Sequence, residues 1–266
     1  MKRRSLLLAP FAVVSPAWAQ TKLRDITDPM RLGVEQSLVD GQLASRLKLA
    51  FARDTGLAVV LVPGPSVSVL QALERGEIDA ALTNAPVLEA QLEKQGLAHD
   101  RRPVAVSDLL LVGPLEGKGK KAVDPAGVAG SADIGAALLL LAHKRVRVIG
   151  APEGSGASQS EMLLWRAAGV TPAAPWYTKA GPKEDPLALA AAQNAYTLVE
   201  RSEWGRGGRK PLSVLVQGDP RMLMPVHVMR SFRVNHPSAK LFVKWIAGPA
   251  GQRVAGGVSG WRAAPR

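Results

Sequence analysis

LAVVLVPGPSVSVLQALERGEIDAALTNAP, Leu57 to Pro86, decides the fold class. Leu57 to Val62 is an unbroken apolar run, as a strand covered on both faces requires. Pro63, Gly64 and Pro65 stop it. Ser66 is placed to cap a helix whose Val69, Leu70 and Leu73 share one face. Gly76 closes that helix, and Ile78 to Thr83 begin a further strand. The unit is too short for a long loop, so it reads as βαβ in a parallel sheet. At the top of the first strand, free backbone N–H groups and the hydroxyls of Ser66 and Ser68 face a crevice. A small anion or polar solute suits such a position.

The pattern repeats outward. Met30 to Val34 is a short first strand, Glu35 to Gly41 a polar turn, and Gln42 to Arg53 an amphipathic helix. Val87 to Gln95 is helical, and Val104 to Val112 is strand material. Ile134 to Ala142 reads as a very apolar, sandwiched helix. Val146 to Ile149 is a buried strand, followed by the small-residue turn Gly150-Ala-Pro-Glu-Gly-Ser-Gly156 and a helix over Ser158 to Ala168. Helices at Asp185–Gln193 and Pro237–Ala247 and a returning strand at Pro225–Val234 complete the reading. A strand, a small turn and a helix thus recur at Val34–Gln42, Val62–Leu73 and Ile149–Trp165. Two α/β lobes offering such turns to a shared cleft account for this most economically.

Residues 1–19 read as a secretory signal peptide. Lys2, Arg3 and Arg4 form the basic start, Leu6 to Val14 is apolar, and Ala17-Trp18-Ala19 is a small-x-small cleavage site. The remaining chain, about 247 residues, has no other run of about 18 apolar residues. It is expected to be soluble and to reside in the periplasm. With no cysteine, it has no disulfide, no thiolate metal site and no Cys nucleophile. The formal charge is +12, or +9 without Lys2, Arg3 and Arg4. The basic residues are scattered or in short clusters at Lys118–Lys121, Lys144–Arg147 and Arg206–Lys210, with no interleaved aromatics. A solvated basic surface fits this better than a nucleic-acid partner.

Chemistry-bearing constellations are sparse. Ser155 lies in Gly-Ser-Gly, yet Glu153 takes the first glycine position of G-x-S-x-G, so Ser155 reads as a helix cap. The four histidines have no zinc-motif spacing. Trp165, Trp176, Tyr177 and Trp245 are a stacking wall or, more simply, core. Glu35 and Glu153 are a carboxylate pair facing a cationic ligand, or solvated side chains. Glu161 reads as structural. No acid–base pair or nucleophile stands out, and no enzyme, cofactor or metal is expected.

Several blocks, in order, resemble the tungstate-binding periplasmic solute receptors of ABC importers. They are Val69–Pro86, Ser107–Pro114, Gly154–Trp165, Trp176-Tyr177, Tyr196–Arg201 and Asn235–Gln252. The resemblance implies an α/β, two-lobed fold of the type II periplasmic binding protein kind, each lobe a mostly parallel sheet flanked by helices. It implies lobe 1 from 20–112 plus 222–266 and lobe 2 from 113–221. It implies a small oxyanion such as tungstate or molybdate as ligand, an inner-membrane ABC permease as partner, and a monomer. The turns read from the sequence and the resemblance together give the expected ligand-binding residues: Glu35, Gln36, Ser37, Ser66, Ser68, Glu153, Gly154, Ser155 and Gly156. The chain departs from the family in two turns. Gly33 to Gly41 keeps only Ser37 of a Thr- and Ser-rich turn, and Ala151 stands where the family has an arginine. A carboxylate such as Glu35 about 4 Å from an anion costs roughly 4 kcal/mol at an effective dielectric near 20. A different polar solute, or a sensing module on the same scaffold, therefore stand as alternatives.

Overall fold

A computed structural model describes residues 22–117, 119, 122–206 and 211–265. The expected signal peptide, most of the 118–121 cluster and most of the 206–210 cluster lie outside the described residues. The elements run in chain order β1 (Lys22–Leu23), β2 (Met30–Glu35), α1 (Gln36–Asp40), α2 (Leu43–Thr55), β3 (Val59–Gly64), α3 (Ser66–Arg75), β4 (Ala80–Thr83), α4 (Pro86–Lys94) and β5 (Ala98–Pro114). There follow α5 (Ile134–Lys144), β6 (Val148–Gly150), α6 (Gly156–Ala167), β7 (Tyr177–Lys179), α7 (Pro186–Gln193), β8 (Tyr196–Glu200), α8 (Arg201–Trp204) and β9 (Leu212–Val216). The chain closes with β10 (Leu223–Ser231), β11 (Val234–Asn235), α9 (Pro237–Ala247), α10 (Pro249–Gly256) and β12 (Arg262–Ala263).

The strands lie in the order β3-β2-β4-β10-β5-β8-β6-β7, with β9 and β12 also paired to β5. β2 pairs in parallel with both β3 and β4, and β6 in parallel with both β7 and β8. β10 and β5 run antiparallel to their neighbours. β5 is the spine. Its first part pairs with β10, while Leu109–Val112 pair with β8. Each side of this spine has its own core. Met30, Leu32, Leu47, Phe51 and Phe242 pack together on one side, and Leu109, Leu138, Leu164 and Trp165 on the other. Smaller clusters under α3 and α7 cover the opposite faces of the two parallel sets. Trp165, Trp176 and Tyr177 meet edge to face inside the second core, and Trp245 packs on Phe51 and Phe242 in the first. These aromatics are core rather than a stacking wall.

The structure corrects several local expectations. The strand expected over Leu57–Val62 is β3, two residues later, and it is not covered on both faces. It sits at the sheet edge beside β2 alone, leaving Val60 and Val62 exposed. The edge position also admits Pro63 opposite Val34, because a missing N–H is tolerated where no further strand pairs. The expected polar turn after Val34 is mostly the short helix α1. The helix at Ile134 is amphipathic rather than sandwiched, with Leu138 buried and Leu139 53% exposed. Ser66 is the first residue of α3 and not its cap, since Pro65 holds the cap position. α3 packs closely on β2. A Cβ at Gly33 would overlap Ile78 Cδ1 and lie 2.9 Å from Val69 Cγ1.

Candidate functional site

The carboxyl ends of the parallel strands face one cleft, where open α/β sheets bind ligands. From one half come the end of β2 with α1, and the Pro65 turn leading into α3. From the other come the turn after β6 leading into α6, and the end of β8 leading into α8. The first turn of a helix leaves N–H groups without intrahelical partners, at the positive end of the helix dipole. α3 and α6 bring two such ends, one from each half, to a single point.

Glu35 occupies that point. Its Oε2 accepts the Ser66 N–H at 2.6 Å and the Gly156 N–H at 3.1 Å. The side chain is 2% exposed. Burial raises its pKa from the ordinary carboxylate range, and these hydrogen bonds act against the rise. The carboxylate thus does for α3 what Ser66 was expected to do. α6 has a conventional cap: Ser155 Oγ accepts the Ser158 N–H at 3.1 Å.

Two more bonds close the halves on each other. Val67 N–H donates to the Gly154 carbonyl at 3.0 Å. Asn84 Nδ2 donates to Glu200 Oε1 at 3.1 Å. Glu200 ends β8 and is 1% exposed, and its Oε2 has no hydrogen-bond partner among the described residues. The buried hydroxyl of Ser37 makes no hydrogen bond of ordinary geometry among the described residues, though it lies close enough to Glu200 to favour the charged carboxylate. Burial pushes the Glu200 carboxyl up to about 8, the Ser37 hydroxyl and Asn84 act against the rise, and the charges of Glu35 and Glu203 add to it. Glu203 is raised to about 7 by burial and by Asp185 and Asp40.

Beside these groups lies a cavity of about 610 Å³. Its carboxylates are Glu35, Asp40, Glu184, Asp185, Glu200 and Glu203, and its cations are Lys183 and Arg206. In a chain of net charge +12 the cleft is locally acidic. Of the residues expected at the site, Glu35, Gln36, Ser37 and Ser155 line the cavity. Ser66 and Gly156 are buried at its back through their bonds to Glu35, and Gly154 packs against Pro65 and Val67. Ser68 and Glu153 are not brought in. Ser68 is exposed on α3, and Glu153 points to solvent with Lys179 at 3.9 Å. The carboxylate facing Glu35 across the cleft is therefore Glu200 and not Glu153.

Asn84, Glu200 and Glu203 escaped the sequence reading. The signal for Glu200 lay in YTLVER, where an acid ends an apolar strand directly before a helix. Ala151, at the position of the family's arginine, is 2% exposed, and its N–H donates to Glu161 Oε2 at 2.9 Å. Glu161 Oε1 also accepts from Trp165 Nε1 at 3.1 Å, so this acid supports the turn from beneath. No group of three His, Cys, Asp or Glu among the described residues is arranged to hold a metal ion.

Comparison with known proteins gives a consistent result. The family model for bacterial extracellular solute-binding proteins matches residues 41–257. The tungstate-binding protein TupA of Peptoclostridium acidaminophilum is 27% identical over 234 residues, covering 85% of this chain and 79% of the relative. The crystal structure of the tungstate ABC transporter from Geobacter sulfurreducens is similar, with a TM-score of 0.71 and 27% identity over 85% of this chain and 97% of that one. The tungstate-binding protein TupA from Desulfovibrio alaskensis G20 has a TM-score of 0.72 and 25% identity, covering 90% and 100% of the two chains.

Proposed function

This chain belongs to the bacterial extracellular solute-binding protein family, and from that premise we propose that it is the periplasmic receptor of an ABC importer. The family is one of solute-binding transport proteins and not of enzymes, and the fold is the two-lobed type II periplasmic binding protein kind. In this reading the signal peptide is cleaved near Ala19. The protein works as a monomer without cofactor and hands its solute to an inner-membrane permease. Lobe 1 comprises 20–112 with 222–266, and lobe 2 comprises 113–221. No helix among the described residues is long and apolar enough to cross a membrane.

One observation carries the reading. Two helix N-termini from opposite halves converge on one buried point beside a cavity of about 610 Å³. A solute there touches both halves, so its binding energy favours the closed form. The relatives' names supply the first candidate, tungstate, and molybdate is the oxyanion of the same shape and charge; either would be held by backbone N–H groups and hydroxyls. Gln36, Ser37, Ser155 and the first turns of α3 and α6 are the contacting groups. Calorimetric titration of the mature protein with tungstate, molybdate and sulfate tests this. Absence of saturable binding at micromolar concentration would remove the oxyanion. A second reading, a polar solute of another class, is favoured by the acidic lining and by Ala151. Mass spectrometry of freshly purified protein, elemental and organic, distinguishes the two.

A further inference from the structure

We propose that Glu35 is a tethered occupant of the anion seat: its carboxylate takes the N–H donors an oxyanion would use and latches the two halves together when no solute is bound. The inference rests on the reading of the cleft as the solute site and concerns what that site selects.

The geometry is that of a ligand. Glu35 Oε2 accepts one N–H from the first residue of α3 and one from the first residue of α6. Both helices are long enough, at 10 and 12 residues, to present a dipole end. One oxygen therefore bridges the halves, as a bound solute does. Because Glu35 is fixed at the end of β2, it competes as an intramolecular partner at high effective concentration. Glu35 has no basic side chain among its hydrogen-bond partners in the described residues. Glu200 adds a second buried carboxyl to the same cavity, and its Oε2 has no hydrogen-bond partner among the described residues. A dianion entering the seat must displace Glu35 and also sit beside Glu200. Glu35 is thus a specificity-determining residue that weakens oxyanion binding, and its removal releases the two donors.

The test compares wild type, Glu35→Ser, Glu35→Gln and the remote control Glu77→Gln. Glu77 is an exposed partner of Arg75, so its loss changes the net charge without touching the seat. Each protein is titrated with sodium tungstate by calorimetry, and its solute-free radius of gyration is measured by X-ray scattering. Glu35→Ser should bind tungstate about 10- to 1,000-fold more tightly than wild type, the range set by one nearby charge. The control should match wild type. Solute-free Glu35→Ser should also be more expanded than wild type. If Glu35→Ser does not fold, Glu35→Gln removes the charge at nearly constant shape and should still gain affinity. Equal or weaker tungstate binding by the folded variants overturns the inference and leaves the receptor reading standing. An unchanged radius of gyration in Glu35→Ser, which lacks the reach to accept both N–H groups, overturns the latch. If no variant binds tungstate, the inference falls, and recovery of another bound solute by mass spectrometry decides the receptor reading separately.

Discussion

Asn84 and Glu200, one at the end of β4 and the other at the end of β8, meet across the cleft through a single hydrogen bond of 3.1 Å. The bond uses one Glu200 oxygen and leaves the other without a hydrogen-bond partner among the described residues. A fully charged carboxylate in that position is poorly compensated, which is why burial drives its pKa upward.

That upward shift makes stability depend on pH. Burial holds the Glu200 carboxyl at about 8 in the folded chain, against the ordinary 4.5 of a solvated glutamate. Between those values the folded protein holds a proton that the unfolded chain has released. The Glu200 contribution to stability is therefore fully present below pH 4.5 and falls as pH rises, levelling off above about 8. A shift of this size is worth roughly 3–5 kcal/mol. Glu203, raised to about 7, adds a smaller loss of the same sign. Urea midpoints between pH 5 and 9 should decline for wild type, and Glu200→Gln should remove most of the slope. A flat wild-type curve would contradict the burial of an acid here.

Gly156 sets how closely the halves approach. A Cβ at this position would overlap Asn84 Oδ1 and lie 2.9 Å from the Asn84 carbonyl oxygen. The Asn84 side chain cannot retreat without breaking its bonds to Ser66 and Glu200. Gly156→Ala should hold the cleft ajar. Scattering should report a larger radius of gyration, and affinity for the transported solute should drop at least tenfold, about 1.4 kcal/mol. Unchanged compaction would show that closure does not depend on this contact.

Glu161 organises the turn that carries Ser155. Glu161→Ala would leave the Ala151 N–H and the Trp165 indole N–H buried without acceptors. The expected loss is about 2–4 kcal/mol. For a domain of this size, the thermal midpoint should fall roughly 5–10 °C. A smaller change would mean that the turn finds other acceptors.

The two leucines in the middle of α5 should behave oppositely despite their adjacency. Leu138 is fully buried and Leu139 is 53% exposed. Leu138→Ala should cost about 2–5 kcal/mol, since it removes packed methyl groups and leaves a cavity. Leu139→Ala should fall within about 0.5 kcal/mol of wild type. Equal effects would indicate that a partner covers the outer face of the helix.

α5 also marks a limit of pattern reading. Its apolar run is nearly continuous, so periodicity alone cannot tell a one-sided helix from a sandwiched one. β3 fails for the related reason that an apolar run does not state how many neighbours a strand has. The α3 unit succeeds because Gly76, with φ of 70°, and the Val69, Leu70 and Leu73 stripe are local signals. At the site, Ser155 was legible as a cap because capping is a relation within four residues. Glu35, Ser37 and Ser155 were placed by turn position and resemblance. Ser68 and Glu153 lie on the exposed side of their turns, because a turn position fixes the backbone and not the direction of a side chain.

What the chain determined by itself was the succession of strands and helices, the ordered blocks shared with its relatives, and which turns lie at strand ends. These depend on near neighbours and on hydrophobic period, both carried along the sequence. Tertiary structure alone decided that the Glu35 carboxylate fills the point where α3 and α6 converge. Gly156 lies 121 residues from Glu35, and only the folded sheet brings them within a hydrogen bond. It also decided that Glu200, and not Glu153, faces Glu35. Electrostatics acts through space, so the charge of a cleft depends on which side chains the fold turns inward.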